Sequence, residues 1–429
     1  MRTVKRLLPT LGVMTLSIAL VAGCGSSSPT SSNGSDSGQK LVIGAPLALT
    51  GPVAAQAKQM QQGFELYLKE HDGKLGGIPV ELKIEDSAAD PSQTVSKTRL
   101  LIRNDKVDMI VGGSLAPEAL AIAGQVEAEN MAFVAPMSSA DDLTQREKSP
   151  LIARTNMTSS QPNMPFGEYA AKELNYKRIA IITQDYAYGW ESAGGFQFGF
   201  EKSGGTIVKK IYVPLGAPDW APYVRQIPTD VDAVFGLPVG GGVAPFVRAY
   251  HDAGLWEKIP LIGGPDLGDE DALQAVGKEE IGVVHVHDYN PNNPESQSFA
   301  KAFEAATGAV PSYWGASTYV SLMWIDRVID SYRKSSGASA DDTIAWIRDK
   351  PKEFIAEFQK VPLKDGPWGP VTMDEYNNPN MNMYVIKVVE KDGKPYRETI
   401  KTISQVSQFW TVAPAEFLKQ PVFSRTFPK

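Results

Sequence analysis

Short apolar runs alternate with amphipathic segments in this chain, stop, and then begin alternating again. Nothing else in the sequence constrains the fold as strongly. Leu41-Val42-Ile43-Gly44-Ala45 suits a strand buried on both faces of a parallel sheet. Thr50-Gly51-Pro52 breaks the run, and Ala57, Met60, Phe64, Tyr67 and Leu68 then recur at helical spacing. Gly76-Gly77 turns the chain into a second strand, Val80 to Ile84, and Asp90-Pro91 opens another helix. Met109-Ile110-Val111 and Phe133-Val134-Ala135 are further strands, with a helix from about Pro117 to Asn130 between them. The alternation restarts at Ile179 to Ile182 and continues through Thr206 to Val213, Ala233 to Phe235, Leu261-Ile262 and Val283-Val284. A long helix near Tyr313 to Ser336 and a late strand from Met383 to Val389 complete the pattern. Repeated strand–helix units predict parallel sheets with helices on both faces. So many strands exceed one ordinary open sheet, so the expected fold is α/β with two Rossmann-like lobes.

The first residues read differently. A basic stub (Arg2, Lys5, Arg6) precedes an apolar stretch from Leu7 to Ala22, which ends in Leu20-Val21-Ala22-Gly23-Cys24. A charged segment, an apolar segment and small residues at the end make a secretory signal. Small residues ending in Cys resemble a bacterial lipoprotein lipobox, which implies cleavage after residue 23 and acylation of Cys24. Residues 24–39, rich in Ser and Gly, cannot build a core and read as a flexible linker. Cys24 is the only cysteine, so the exported part has no disulfide, thiolate metal site or thiol nucleophile. Losing Arg2, Lys5 and Arg6 takes the formal charge from −7 to −10, which argues against a nucleic-acid partner. Hydrophobic content of 42% and eight Trp are enough material for real cores. No later stretch approaches the apolar length of a spanning helix.

Ile43-Gly44-Ala45-Pro46-Leu47-Ala48-Leu49-Thr50-Gly51-Pro52 resembles the opening strand and turn of branched-chain amino-acid-type substrate-binding proteins of ABC importers. Further segments match in order: Glu85 to Pro91, Val111-Gly112-Gly113 with Ala121, Pro136-Met137-Ser138-Ser139 with Leu143-Thr144, Asp185-Tyr186-Ala187-Tyr188-Gly189, and Gly369 to Asp374. The resemblance covers about Lys40 to Thr402. It implies the type I periplasmic-binding-protein fold, two lobes joined by three chain crossings near Asn156, His287 and Met381. The implied lobes are 40–156 with 288–380, and 157–287 with 381–429.

In an open parallel sheet, ligands bind beyond the carboxyl ends of the strands. Gly112-Gly113-Ser114 and Pro136-Met137-Ser138-Ser139 each follow a strand and precede a helix. Such turns offer backbone N–H groups where a carboxylate is welcome, and serine hydroxyls add donors. Read alone they are equally ordinary helix caps. The resemblance makes Ser139, with Ser114, Met137 and Ser138, the expected carboxylate contacts, and Tyr188 a wall of the pocket. It also marks departures. The family's hydroxyl in the first turn falls on Ala116, and an aromatic residue common after Thr-Gly-Pro falls on Gln56. The acid that holds an amino acid's ammonium falls on Asp266, while Asp269-Glu270 fits the version of this turn in relatives that bind aromatic acids. Tyr186, Trp190, Phe246, Tyr289, Tyr313 and Trp314 are further aromatics near loop ends and leave room for a flat ligand. These departures lean toward an aromatic acid, in which case Asp266 is expected to point away from the pocket or to pair with a base.

Other motifs carry less. Gly240-Gly241-Gly242 lies between a strand and a helix, but its spacing is wrong for a dinucleotide loop. It reads as backbone allowed close to the cleft at Gly240. His285 and His287 share a strand face beside Asp288, without a visible third set of metal ligands. No catalytic elbow, phosphate loop or zinc-protease motif is present, so neither an enzyme nor a cofactor is expected. The expected protein is a monomeric lipoprotein on the extracytoplasmic face of the cell membrane. It captures a small carboxylate, an aromatic acid or an amino acid, and delivers it to ABC permease subunits. The competing class is a ligand sensor of the same fold serving a signalling partner.

Overall fold

The structure, a computed structural model, describes residues 38–428. The expected signal peptide 1–23, the acylation site Cys24 and linker residues up to 37 lie outside the described residues.

The first sheet contains β1 (Leu41–Leu47), β2 (Lys74–Leu75), β3 (Ile78–Asp86), β4 (Met109–Val111), β5 (Phe133–Ala135) and β6 (Ile152–Arg154), in the order β2-β3-β1-β4-β5-β6. All neighbours are parallel except the short β2–β3 hairpin. Ile43, at the centre of β1, faces Leu82 of β3 and Met109 of β4.

The second sheet contains β7 (Arg178–Gln184), β8 (Thr206–Val213), β9 (Ala233–Leu237), β10 (Leu261–Gly263), β11 (Val284–His287), β12 (Thr372–Met373), β13 (Pro379–Lys391) and β14 (Lys394–Val406). Five strands run parallel in the order β11-β10-β9-β7-β8. The rest differ from a purely parallel sheet: β13 is antiparallel to β11, and β12 and β14 are antiparallel to β13. The β13–β14 hairpin turns at Asp392-Gly393, both with positive φ, as a two-residue turn between twisted strands requires.

Between the sheets the chain crosses three times. The first crossing leaves β6 at Arg154, and the second leaves β11 at His287 for the helices Gln297–Thr307 and Tyr313–Ser336. The third returns ahead of β12, upstream of β13 and Met381. The first and third crossings are tied together. The Arg154 N–H donates to Asn377 O at 2.9 Å, and Gln161 Nε2 donates to Pro379 O at 2.8 Å and Val406 O at 2.7 Å.

The helix Tyr313–Ser336 returns to the first sheet's side and packs on the helix Ala54–Glu70. Their backbones approach closely enough that a Cβ on Gly63 would collide with the Gly315 carbonyl. Thr318 Oγ1 donates to Met60 O at 2.7 Å across this seam. That packing brings Tyr313 and Trp314, at the helix N-terminus, to the cleft between the sheets. Ser312 caps the helix by accepting from the Trp314 N–H at 3.3 Å.

Candidate functional site

The loops that leave the carboxyl ends of the parallel strands meet in the cleft. An inner chamber is lined by Ser114, Leu115, Ala116, Met137, Ser139, Tyr186, Tyr188, Val239, Asp266, Tyr313 and Trp314. Its free volume is about 20 Å³, room for roughly one water, so its walls stand nearly in contact.

One wall presents serine hydroxyls. Ala116 begins a helix of 14 residues, Ala116–Glu129; Pro117 has no N–H, the Glu118 and Ala119 N–H groups donate to Leu115 O, and the buried Glu118 carboxylate accepts from the Leu115 N–H, which leaves the Ala116 N–H as the backbone donor of this turn. Ser114 Oγ accepts from the Ala48 N–H at 3.0 Å, so its own proton remains to donate. Ser159, in the first crossing, places its Oγ 3.1 Å from Ser139 Oγ and 2.8 Å from Ser139 O. Ser139 is thus oriented from the hinge, with its proton free for the chamber.

The opposite wall carries a carboxylate. Asp266 follows β10 and is 5% exposed. It accepts from Tyr188 Oη at 3.4 Å, from Tyr313 Oη at 3.3 Å and from the Gly240 N–H. Burial pushes its carboxyl up to about 7 against these hydrogen bonds, which favour the charged form. Burial and the nearby Asp266 push the Tyr188 and Tyr313 hydroxyls well above the usual phenol range, so both remain donors. No Lys, Arg or His lines the inner chamber.

Six of the residues singled out in sequence, Ser114, Ala116, Met137, Ser139, Tyr188 and Asp266, therefore line one chamber. Gln56 and Gly240 line an adjoining outer chamber together with Asp266. Gly240 has φ of +51°, and a Cβ there would sit 3.1 Å from Val53 Cγ1 and 3.2 Å from Pro52 O on the other side of the cleft. Only glycine suits both the backbone angle and the close approach. Ser138 does not line the chamber: its Oγ donates to Leu115 O at 2.9 Å and its carbonyl accepts from Arg154. It braces the turn that Ser139 ends. Asp266 is neither turned away nor paired with a base, contrary to what an aromatic acid was expected to require.

Several contributors were not singled out as site residues. Tyr186, Tyr313 and Trp314 were noted only as aromatics near loop ends. Arg397 was missed. It is fully buried on β14, and its Nη1 lies 2.9 Å from Asp269 Oδ1 while its Nη2 donates to Tyr289 O at 2.9 Å. It pins the loop that presents Asp266 to the second crossing. A lone Arg among the alternating charges Lys394, Arg397, Glu398 and Lys401 gives no sign of this in sequence. His285 and His287 are both buried, and burial pulls each imidazole well below its usual range, so they are neutral. His287 Nδ1 lies 2.8 Å from Asp288 Oδ1, and no group of three or more metal-binding side chains forms among the described residues.

A wall of hydroxyl donors on one α/β lobe and a carboxylate on the other, across three chain crossings, fit a solute-binding protein of the two-lobed class. Residues 40–394 match the model of the periplasmic binding protein family, and the chain belongs to that family. It is 28% identical over 366 residues to the Leu/Ile/Val-binding protein homolog 6 of Brucella melitensis, a match covering 83% of this chain and 90% of that one. It resembles the ABC-transporter solute-binding protein of Rhodopseudomonas palustris BisB5 solved with 3,4-dihydroxybenzoic acid, at 29% identity and TM-score 0.77, covering 86% of this chain and 98% of the other. A Rhodopseudomonas palustris HaA2 solute-binding protein solved with p-hydroxybenzoic acid aligns at 26% identity and TM-score 0.78, covering 86% and 99%. A Thermotoga maritima leucine-binding protein, 21% identical with TM-score 0.71 and coverage of 85% and 99%, shares the fold. No helix among the described residues is long and apolar enough to cross a membrane.

Proposed function

We propose that this protein captures an amino acid in the cleft and delivers it to the permease of an ABC importer, making and breaking no bond. Asp266 carries the reading. A buried carboxylate with no cation beside it is costly, and an ammonium is the group that relieves the cost. Across the chamber, the Ser139 and Ser114 hydroxyls and the Ala116 N–H offer donors to the ligand's carboxylate. Tyr188 and Met137 enclose what lies between. The lobes, 40–156 with 288–380 and 157–287 with 381–429, close on the ligand by a hinge motion at the three crossings. Cys24 carries the lipid that holds the protein at the extracytoplasmic face of the membrane, and a monomer suffices for this work.

A hydroxylated benzoate is the second reading. Tyr186, Tyr188, Tyr313 and Trp314 all border the chamber, and a phenolic hydroxyl is another donor to Asp266. Relatives solved with 3,4-dihydroxybenzoic and p-hydroxybenzoic acids favour it. Calorimetric titration with leucine, isoleucine, benzoate and 4-hydroxybenzoate separates the two. The amino-acid reading expects an amino acid to bind and Asp266→Asn to weaken it by about 3–5 kcal/mol, the cost of stripping one partner from a buried pair. Binding of 4-hydroxybenzoate with no amino acid bound would establish the second reading instead.

A further inference from the structure

A contact outside the inner chamber joins the two sides of the cleft. Gln59 stands on the helix Ala54–Glu70, on the first sheet's side, and Asp271 on the helix Glu270–Val276, which follows β10 of the second sheet. Gln59 Nε2 donates to Asp271 Oδ1 at 2.5 Å. Gln56, one turn earlier, gives the same carboxylate a second amide donor. Neither Gln59 nor Asp271 lines the inner chamber.

Gln59 is set for this contact from its own side. Its Oε1 accepts from the Ser312 N–H at 2.8 Å, which turns the Nε2 of the same amide toward Asp271. Both glutamines are buried, and the close seam at Gly63 and Gly315 fixes the helix that carries them.

We propose that Gln59 and Asp271 form a closure latch, which slows the escape of a bound solute without touching it. The latch rests on the hinge motion proposed above and not on which solute fills the chamber. With the lobes apart, Asp271 and the amides are hydrated. As the lobes meet, water is exchanged for a hydrogen bond to a carboxylate, one of the stronger kinds. An amide has no net charge, so it exerts little pull across an open cleft and acts only once the walls touch. The latch therefore governs release and leaves capture alone.

Gln59→Glu keeps the acceptor for the Ser312 N–H and sets a second carboxylate against Asp271. Gln59→Glu combined with Asp271→Asn exchanges amide and carboxylate between the two helices. Stopped-flow kinetics at about pH 8, where free carboxylates are ionised, compare both with the wild type. The probe is leucine, isoleucine, benzoate or 4-hydroxybenzoate, according to which binds in the titration above. Gln59→Glu is expected to release the probe about tenfold or more faster, as loss of a hydrogen bond to a charged group warrants, while association changes less than about twofold. The exchanged pair is expected to bring release back to within about threefold of the wild type, which a role in packing alone would not do. An unchanged release rate in Gln59→Glu, equally fast release from the exchanged pair, or a loss that falls on association would overturn the latch. Small-angle scattering of the wild type with and without the probe reports the motion separately. A probe that binds without compacting the protein would remove the motion, and the latch with it.

Discussion

The titration of Asp266 makes ligand affinity depend on pH in a direction that reveals the ligand's chemistry. An ammonium binds only the ionised carboxylate. With Asp266 held at about 7 in the empty cleft, roughly a tenth of it is ionised near pH 6 and roughly nine-tenths near pH 8. Affinity for an amino acid should therefore rise about tenfold over that range and flatten above it. The ligand's own ammonium and carboxylate stay charged throughout, and Asp271, also pushed up by burial, adds to the trend. Burial also pushes Asp269 well upward, against the pull of its pairing with Arg397.

Calorimetry in two buffers of different ionisation enthalpy measures the same quantity independently, since each binding event near pH 7 should release about half a proton from Asp266. Asp266→Asn should abolish both the proton release and most of the pH dependence. An affinity that falls with rising pH would refute the reasoning, because it would mean that an anion is being placed beside Asp266 with no cation to offset it. So would an unchanged pH profile in Asp266→Asn.

Ser139→Ala should weaken binding by about 0.5–3 kcal/mol in the same titration, with the ligand-free thermal midpoint nearly unchanged, since only the donor facing the chamber is lost. Gly240→Val places a branched side chain against Val53 and Pro52 across the cleft. Small-angle scattering should show that ligand no longer compacts this variant. Arg397→Met leaves Asp269 buried and unpaired, so urea unfolding should record a loss of about 3–5 kcal/mol. Cys24→Ala should shift the protein out of the membrane fraction, whereas wild-type protein cleaved elsewhere and wholly soluble would exclude the anchor; two acyl chains are expected, because one binds only marginally.

Most parallel strands were legible because their chemistry is local. Met109–Val111, Phe133–Ala135 and Thr206–Val213 run as read, as does the helix Tyr313–Ser336. The missed strands lack that signal. β6 is Ile152-Ala153-Arg154, whose buried Arg154 reads as a surface residue, and β14 is mostly charged and hydroxyl-bearing residues with few apolar ones. Asp392-Gly393 was the available clue to β14, a hairpin turn between alternating residues. In the site, turns after strands revealed Ser114 and Ser139 because their context is a few residues long. Trp314 joins Ser114 only through the second crossing, and Arg397 reaches Asp269 only through the β13–β14 hairpin. Such convergence is set by the connection between lobes, which no local pattern encodes.

The division of the site between lobes also explains why an empty protein should not present itself as loaded. Ser114, Ser139 and the helix N-terminus stand on the side of the first sheet, and Tyr188, Gly240 and Asp266 on the side of the second. Closing the cleft without ligand buries Asp266 between Tyr188 and Tyr313 with no cation. Burial there holds the carboxyl at about 7 in the empty cleft and so disfavours its charged form until a cation arrives. On the amino-acid reading, an ammonium removes that cost, and the carboxylate at the other end of the same molecule meets the donors of the opposite lobe. Differential affinity for the closed form is what allows a ligand to shift the equilibrium. A molecule carrying only one of the two charges would satisfy one lobe and leave the other unrewarded, so on this account closure itself is selective for a zwitterion.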